Sequence, residues 1–275
     1  NTKFSSYVQK YLDLLLDLSR RPLTEDSIRA AIGVVSLHQL GYQNFNHLSS
    51  IFDRLIPQMD EEYIKFTSWC VENLTEHPNI DETQYAQSLF LRALSWTRSK
   101  GRRARPLAAA HMLHSLSLSC GSIIVSFFPQ LQTALWSLVS SRSLRILKST
   151  ADAISAYTRS ISKYGRNYLN EYMDFFSKVC IKLLSSEDPI SQYGSLCLFE
   201  ELINEYPDYF VPNFINLLKY IAESTEEKPV IVKGQAFIVI ASLSAVNPVG
   251  FVESIAEEFF QNVEEMLLEF PVEVT

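Results

Sequence analysis

A stretch that reads LAAAHMLHSL occupies residues 107–116, and its pattern decides the fold. Its apolar residues recur at i, i+3, i+4 and i+7, which places them along one face of an α-helix. These positions are Ala109, Met112, Leu113 and Leu116. The same period recurs at residues 28–35 and 146–161, and glycines or prolines interrupt the chain between such stretches. Because no stretch shows the alternation of a half-buried strand, the sequence predicts an all-α protein.

The predicted helices come in pairs, and the second helix of each pair carries a small residue about one turn from its start. The small residues are Ala31, Thr67, Ala109, Ser149, Gly194 and Gly234. Successive members are 36 to 45 residues apart, close to the period of about 40–47 residues in HEAT and armadillo repeats. A small side chain at this position lets the helix pack closely against its neighbour. Since one helical hairpin cannot cover its own apolar face, stacked pairs would share a continuous core.

The spacing predicts an α-solenoid of about six HEAT-type helical hairpins plus a terminal unpaired helix. A globular all-α bundle is the alternative, but it does not explain turns at nearly constant intervals. We expect a single array over residues 1–275, with repeats at residues 4–41, 45–78, 81–120, 122–164, 166–207 and 211–248, and a half repeat at residues 251–270. The start at Asn1 and the unpaired last helix suggest a piece of a longer protein.

The composition excludes several catalytic loops and a membrane span. The chain has 8 glycines, none closer together than Gly33 and Gly41, which excludes a P-loop, a GxGxxG turn and a GxSxG elbow. The four cysteines are too dispersed for a disulfide scaffold or a zinc site, so we expect reduced, buried thiols and a cytoplasmic location. They are Cys70, Cys120, Cys180 and Cys197. The longest apolar run, residues 237–246, is about half of the roughly 20 residues that a membrane span needs.

His111, His114 and Cys120 are the residues that come nearest to a metal-binding pattern. The two histidines share a helix face, but no fourth ligand follows from the spacing, so packing between helices is the interpretation we favour. The serines and the carboxylate pairs show no arrangement typical of a nucleophile or of acid–base catalysis. The sequence therefore predicts no catalytic, metal or cofactor site, and we expect no enzyme within these residues.

Charge is distributed unevenly along the chain, whose net charge is −7. Residues 98–166 contain eleven Lys and Arg residues against one acidic residue, Asp152, whereas residues 201–275 carry a charge of −10. The basic side chains cluster in two equivalent turns of neighbouring predicted repeats. They are Arg98, Lys100, Arg102, Arg103 and Arg105 in the first turn, and Arg142, Arg145 and Lys148 in the second. Stacking should place these turns side by side and form one basic ridge.

The basic ridge predicts a contact surface for an acidic protein segment. A solvated rim without a partner is the alternative for isolated turns. Nucleic acid fits less well, because the chain is acidic overall and lacks a wide basic stripe with stacking aromatics. An anionic lipid head group is a weaker candidate for the same charges.

Four stretches of the sequence together resemble one known family. Residues 101–110, GRRARPLAAA, resemble its basic turn before an alanine-rich helix, and residues 85–96 resemble the helix that precedes this turn. Residues 144–156 resemble the next inner helix, and residues 192–202 resemble a glycine-containing helix that ends in a Glu-Leu pair. The family is the target-of-rapamycin (TOR) serine/threonine kinases, whose N-terminal HEAT region these stretches resemble over about residues 51–204.

This resemblance implies a scaffold that belongs to a very large kinase whose kinase domain lies far C-terminal and outside these residues. In that family the region docks raptor-type adaptor subunits and helps to form a dimeric complex, which would be cytoplasmic or held at endomembranes by its partners. No catalytic or rapamycin-binding residue is carried over, because neither domain is present. The alternative is a HEAT-repeat adaptor of another kind, such as a transport receptor or a nucleic-acid-associated scaffold.

Overall fold

A computed structural model describes residues 82–97, 104–163, 166–225 and 228–269, together with residues 10, 13, 14 and 17. These residues form helices and turns and contain no strand. The helices are α1 (Glu82–Thr97), α2 (Ala104–Ser119), α3 (Gly121–Val125), α4 (Phe128–Val139), α5 (Leu144–Ser162), α6 (Arg166–Leu184), α7 (Pro189–Glu205), α8 (Phe214–Thr225), α9 (Val230–Val246), α10 (Pro248–Ser254) and α11 (Ala256–Glu269). The all-α prediction is thus confirmed.

The chain divides into two compact units, residues 1–138 and 139–275. In the first unit, α1 packs against α2, and both helices contact the short helix α3. The predicted apolar face of α2 is buried, from Ala109 to Leu116. Phe90 on α1 packs against Phe127, with ring centroids 5.1 Å apart. The stretch that predicted the fold therefore lies in the core of its unit.

The second unit is built in two layers. Helices α5, α7 and α9 form one layer, in which α7 packs against both of the others. Helix α6 packs against α5 and α7, and α8 packs against α9, so α6 and α8 form a second layer. Tyr157, Tyr172 and Phe176 fill the space between α5 and α6 and are fully buried. This is the packing of consecutive helical pairs that share one core.

Close approach of neighbouring helices is confirmed at Gly194. A Cβ placed there would lie 2.9 Å from Leu147 Cδ2 on α5. The same expectation is wrong at Gly234, where an added Cβ would meet no atom within 4 Å. The physical reason is which residue of α9 faces α7. That residue is the buried Gln235 rather than Gly234, as its side-chain amide donates to Glu200 Oε2 on α7 over 2.6 Å.

The bounds of α7 and α9 show a one-residue offset between the two glycines. Both helices have 17 residues and α9 begins 41 positions after α7, so Gly194 is the sixth residue of α7 whereas Gly234 is the fifth residue of α9. Buried residues align at a shift of 41, such as Phe199 with Ile240, and also at a shift of 40, such as Phe199 with Val239. An offset of one residue corresponds to 100° of helix rotation.

The last helical segment also differs from the prediction of one helix over about residues 252–269. The chain leaves helical geometry at Ile255 (φ −147°, ψ −4°), so α10 ends at Ser254 and α11 begins at Ala256. Ile255 and Phe251 are both buried, at 7% exposure each. The break keeps two apolar side chains in the core that a straight helix would present at another angle.

Candidate functional site

The structure places the predicted basic side chains in different parts of the chain. Arg98, Lys100, Arg102 and Arg103 lie outside the described residues. Arg105 lies in the first turn of α2 and is half-buried, and its Nε is buried. Arg142, Arg145 and Lys148 are exposed and lie in the second unit. The side-by-side placement of the two basic turns stays a prediction.

We call Arg142, Arg145 and Lys148 the basic surface. Arg142 lies in the turn before α5, and the other two lie three residues apart on the first two turns of that helix. Residues at i and i+3 are neighbours on a helix, so these two cations point the same way. The helix begins after Ser143, whose side chain makes no capping hydrogen bond although its backbone (φ −108°, ψ 117°) has the extended geometry usual for a cap. Unsatisfied amides at this end add partial positive charge to the surface.

The start of α7 borders the basic surface. Asp188 Oδ2 accepts hydrogen bonds from the Ser191 backbone amide (3.2 Å) and hydroxyl (2.7 Å), and Pro189 follows as the first helical residue. Asp188 thus caps α7, and Pro189 fits the first helical position, where its missing N–H costs no hydrogen bond. The bond from the Ser191 side chain holds the pKa of Asp188 below its usual value, and the charge of Arg142 acts in the same direction. The turn of Arg142 therefore lies within electrostatic reach of the cap of α7.

Lys148 also reaches toward α7. Burial raises the pKa of the Cys197 thiol to about 12, and the ammonium of Lys148 opposes this rise while Asp152 and Glu200 reinforce it. These three charged side chains therefore lie within electrostatic range of Cys197. Cys120 and Cys180 are buried thiols as well, as predicted, and Cys70 lies outside the described residues.

A polar cluster joins the C-terminal halves of α5 and α7. Arg159 donates to both carboxylate oxygens of Glu205, with Nε to Oε2 at 3.0 Å, and Ser155 Oγ donates to Glu205 Oε1 over 3.1 Å. These bonds, that from Arg159 foremost, lower the pKa of Glu205. Burial instead raises the pKa of Glu201, one turn earlier. Arg159 is thus paired with a carboxylate of the neighbouring helix.

A cleft of about 480 Å³ separates α6 from α8 in the second unit. Phe199 and Phe210, which are buried, form part of its lining with the half-buried Leu217. Two tyrosines also line it: Tyr209 donates to Asp174 Oδ1, and Tyr220 OH lies 2.7 Å from Ser185 Oγ. Sequence reasoning missed this cleft, because its width depends on how α6, α7 and α8 are spaced in the folded unit.

The histidines considered as ligands lie in α2, where His111 is buried and His114 is half-buried. Among the residues that the structure describes, no group of three His, Cys, Asp or Glu side chains could hold a metal ion. Within the same residues, every helix is too short or too polar to span a bilayer.

No protein-family model matches the chain, and no curated protein matches it. Among solved structures, a designed armadillo repeat protein in complex with the peptide (KR)4 covers 84% of this chain and 99% of its own, at 15% identity and a TM-score of 0.44. An engineered protein covers 85% and 98%, at 12% identity and a TM-score of 0.43. The structure of Kap121p bound to RanGTP covers 97% of this chain but 32% of its own, at 13% identity and a TM-score of 0.30.

The fold class follows from helix packing. In the second unit, each helix pair shares a core with the next pair, with one layer of α5, α7 and α9 and a second of α6 and α8, and this packing defines an all-α solenoid of helical hairpins.

Proposed function

We propose that this chain is a non-catalytic helical-repeat scaffold that docks a protein partner through its basic surface. The observation that carries the proposal is that Arg142, Arg145 and Lys148 are all exposed and lie together at the start of α5. Residues 98–151 contain no acidic residue, and the nearby carboxylates, Asp152 one turn after Lys148 and Asp188 near Arg142, are fewer than the three cations. The complementary ligand is an acidic segment of another protein.

The proposed mechanism is geometric. Packed helices hold the cations in place, so a partner meets groups that are already ordered and less conformational entropy is lost on binding. Arginine guanidinium groups can bind carboxylates through two parallel hydrogen bonds, which adds specificity to the charge attraction. Long-range attraction between opposite charges also speeds the encounter, and salt weakens it.

A charge-reversed variant tests this proposal. We expect Arg142→Glu, Arg145→Glu and Lys148→Glu together to abolish capture of the partner proteins that the wild-type chain retains from an extract of the source cells. Retained proteins are identified by quantitative mass spectrometry. The matched control reverses the exposed lysines Lys163, Lys182 and Lys219, which changes the net charge equally at other places. Equal capture by both variants would contradict the proposal.

Two further readouts separate the alternatives. Helical content and melting temperature should stay near the wild-type values in both variants, because the exchanged side chains are exposed. If nuclease treatment of the extract abolishes capture, the nucleic-acid-associated alternative replaces the protein-docking proposal. If only vesicles containing anionic lipid are retained, the surface binds lipid head groups instead.

A narrower proposal rests on the residue-level resemblance to the TOR kinases. In it, the chain forms part of the N-terminal arm of a TOR-like kinase complex that regulates growth, binds raptor-type adaptors and takes part in a dimeric assembly in the cytoplasm. Immunocapture of the native polypeptide followed by mass spectrometry tests this. Peptides of a kinase domain in the same polypeptide, with a WD40-bearing adaptor alongside, are expected. A long polypeptide without a kinase, or a native mass near 31.4 kDa, would refute it.

A further inference from the structure

The last helix of the second unit carries a surface opposite in charge to the basic surface. Glu257, Phe260 and Glu264 recur at i, i+3 and i+7 on α11 and are all exposed, so they share one face of that helix. We call these three residues the acidic surface. We infer that the acidic surface docks on the basic surface of a second copy of the chain. The inference rests on the proposed function, since it names the protein that supplies the acidic segment.

The order of the helices keeps the two surfaces apart within one copy. Helix α7 lies between α5 and α9, and α11 packs at the far side of this layer, where Phe259 and Phe237 of α9 have ring centroids 5.5 Å apart. Packed helices lie about 8–10 Å from each other, which separates the axes of α5 and α9 by roughly 20 Å. An ion pair requires a distance of about 4 Å or less. The two surfaces therefore pair only between copies.

The sequence makes the two surfaces complementary in charge. Residues 234–275 contain seven acidic residues and no basic one, whereas residues 98–151 contain no acidic residue. Three cations of the basic surface face two nearby carboxylates, Asp152 and Asp188. Like surfaces of two copies repel each other, and unlike surfaces attract. Charge therefore favours contact of the acidic surface with the basic surface over contact of either surface with its own kind.

Each surface also presents an apolar side chain among its charges. Phe260 is 63% exposed, although its ring is oriented by Phe251 and Phe259, whose centroids lie 6.4 and 5.5 Å away. On α5, Leu144 is 38% exposed and lies one turn before Lys148. In the proposed contact, Phe260 packs against Leu144 and the glutamates pair with the cations around it. An aromatic anchor with polar groups at its rim is the usual anatomy of a docking interface.

The contact joins two different surfaces, so each of two copies that meet keeps one surface unoccupied. Association through such a contact continues to larger species or closes into a ring. It should also depend on salt, because the Debye length falls from about 10 Å in about 0.1 M salt to about 3 Å in about 1 M salt.

Sedimentation equilibrium of the full 275-residue chain tests the inference. We expect self-association of the wild type in about 0.1 M salt and much weaker self-association in about 1 M salt. Glu257→Lys with Glu264→Lys, and separately Arg145→Glu with Lys148→Glu, should each weaken self-association by roughly tenfold or more. A mixture of the two variants should associate again, because the first keeps the basic surface and the second keeps the acidic surface.

A matched control separates this contact from an effect of net charge. Glu171→Lys with Glu223→Lys changes the net charge as much as the reversal on α11 does, but at exposed positions of α6 and α8. This control should associate like the wild type. Circular dichroism checks that all variants keep their helical content, which is expected because the exchanged side chains are exposed.

Several outcomes would overturn the inference. They are a wild type that stays monomeric up to about 1 mM, self-association that persists in both reversed variants, and loss in both without recovery in the mixture. The proposed function can survive such a failure. If the wild type stays monomeric but reversal of Arg142, Arg145 and Lys148 still abolishes capture from the extract, the basic surface docks another acidic protein and the second copy is refuted.

Discussion

Replacement of two helix glycines by alanine tests the packing of α5 against α7. Gly194 is the sixth residue of the 17-residue helix α7, and Gly234 is the fifth residue of the 17-residue helix α9. The two sites have nearly the same helical context and differ in what surrounds them. Alanine stabilises a helix interior by about 1 kcal/mol relative to glycine, and this gain applies at both sites.

The surroundings decide the sign of the change at Gly194. An alanine Cβ would lie 2.9 Å from Leu147 Cδ2 and 3.1 Å from Cδ1, closer than ordinary contacts of 3.4–4 Å. Leu147 is only 2% exposed, so its methyl groups must shift within a packed core. Such overpacking costs about 1–3 kcal/mol. We expect Gly194→Ala to change the free energy of unfolding by about 0 to −2 kcal/mol, and Gly234→Ala to raise it by about 1 kcal/mol.

Urea unfolding of both variants, followed by circular dichroism, measures this difference. A double-mutant cycle with Leu147→Ala assigns it to the contact, because removal of the Leu147 methyl groups should turn Gly194→Ala into a stabilising change of about 1 kcal/mol. The reasoning is refuted if the two glycine variants change stability alike. It is equally refuted if Leu147→Ala leaves the effect of Gly194→Ala unaltered.

Two further predictions concern carboxylates of the second unit. The depressed pKa of Glu205 means that its contribution to stability is present above the unfolded-state value of 4.5 and is lost as the pH falls through the folded-state pKa. Glu205→Gln should therefore lower the free energy of unfolding at pH 7 by up to about 1 kcal/mol. Glu201→Gln should raise it, since the raised pKa of Glu201 makes its ionisation unfavourable to folding. Urea unfolding at pH 7 measures both changes, and changes of the same sign in the two variants would contradict the predictions. Asp188→Ala should destabilise the protein by about 1 kcal/mol through loss of the cap of α7, whereas Asp188→Asn should retain most of the stability, and thermal unfolding distinguishes the two.

Features that depend on local sequence were predictable here. Apolar period and turn residues are properties of short stretches, and they predicted the helix around residues 107–116, which the structure places at Ala104–Ser119. The close approach at Gly194 was also predictable, because only a very small residue fits where two helices touch. The break at Ile255 was not, since no glycine or proline marks it and only burial of that side chain explains it.

Features that depend on contacts between helices could not be predicted from the sequence pattern. The pairing of Arg159 with Glu205 joins residues 46 positions apart, and the sequence does not indicate which of its many acidic residues pairs with Arg159. The cleft between α6 and α8 is likewise a consequence of helix separation. Among the predicted basic side chains, sequence alone could not distinguish the half-buried Arg105 from the exposed Lys148, because burial depends on the neighbouring helix.

The offset of 41 positions between Gly194 and Gln235, with α7 and α9 equal in length, bears on how such a chain can change during evolution. When a residue is gained or lost in a turn, the next helix is displaced in the numbering, but the same side chains of that helix face the core. The same change inside a helix rotates every later side chain by 100° and exchanges core positions for surface positions. Duplicated units of common ancestry can therefore keep constant helix lengths while their spacing drifts. We therefore expect helix length to be the inherited feature of this architecture, and insertions to occur in the turns.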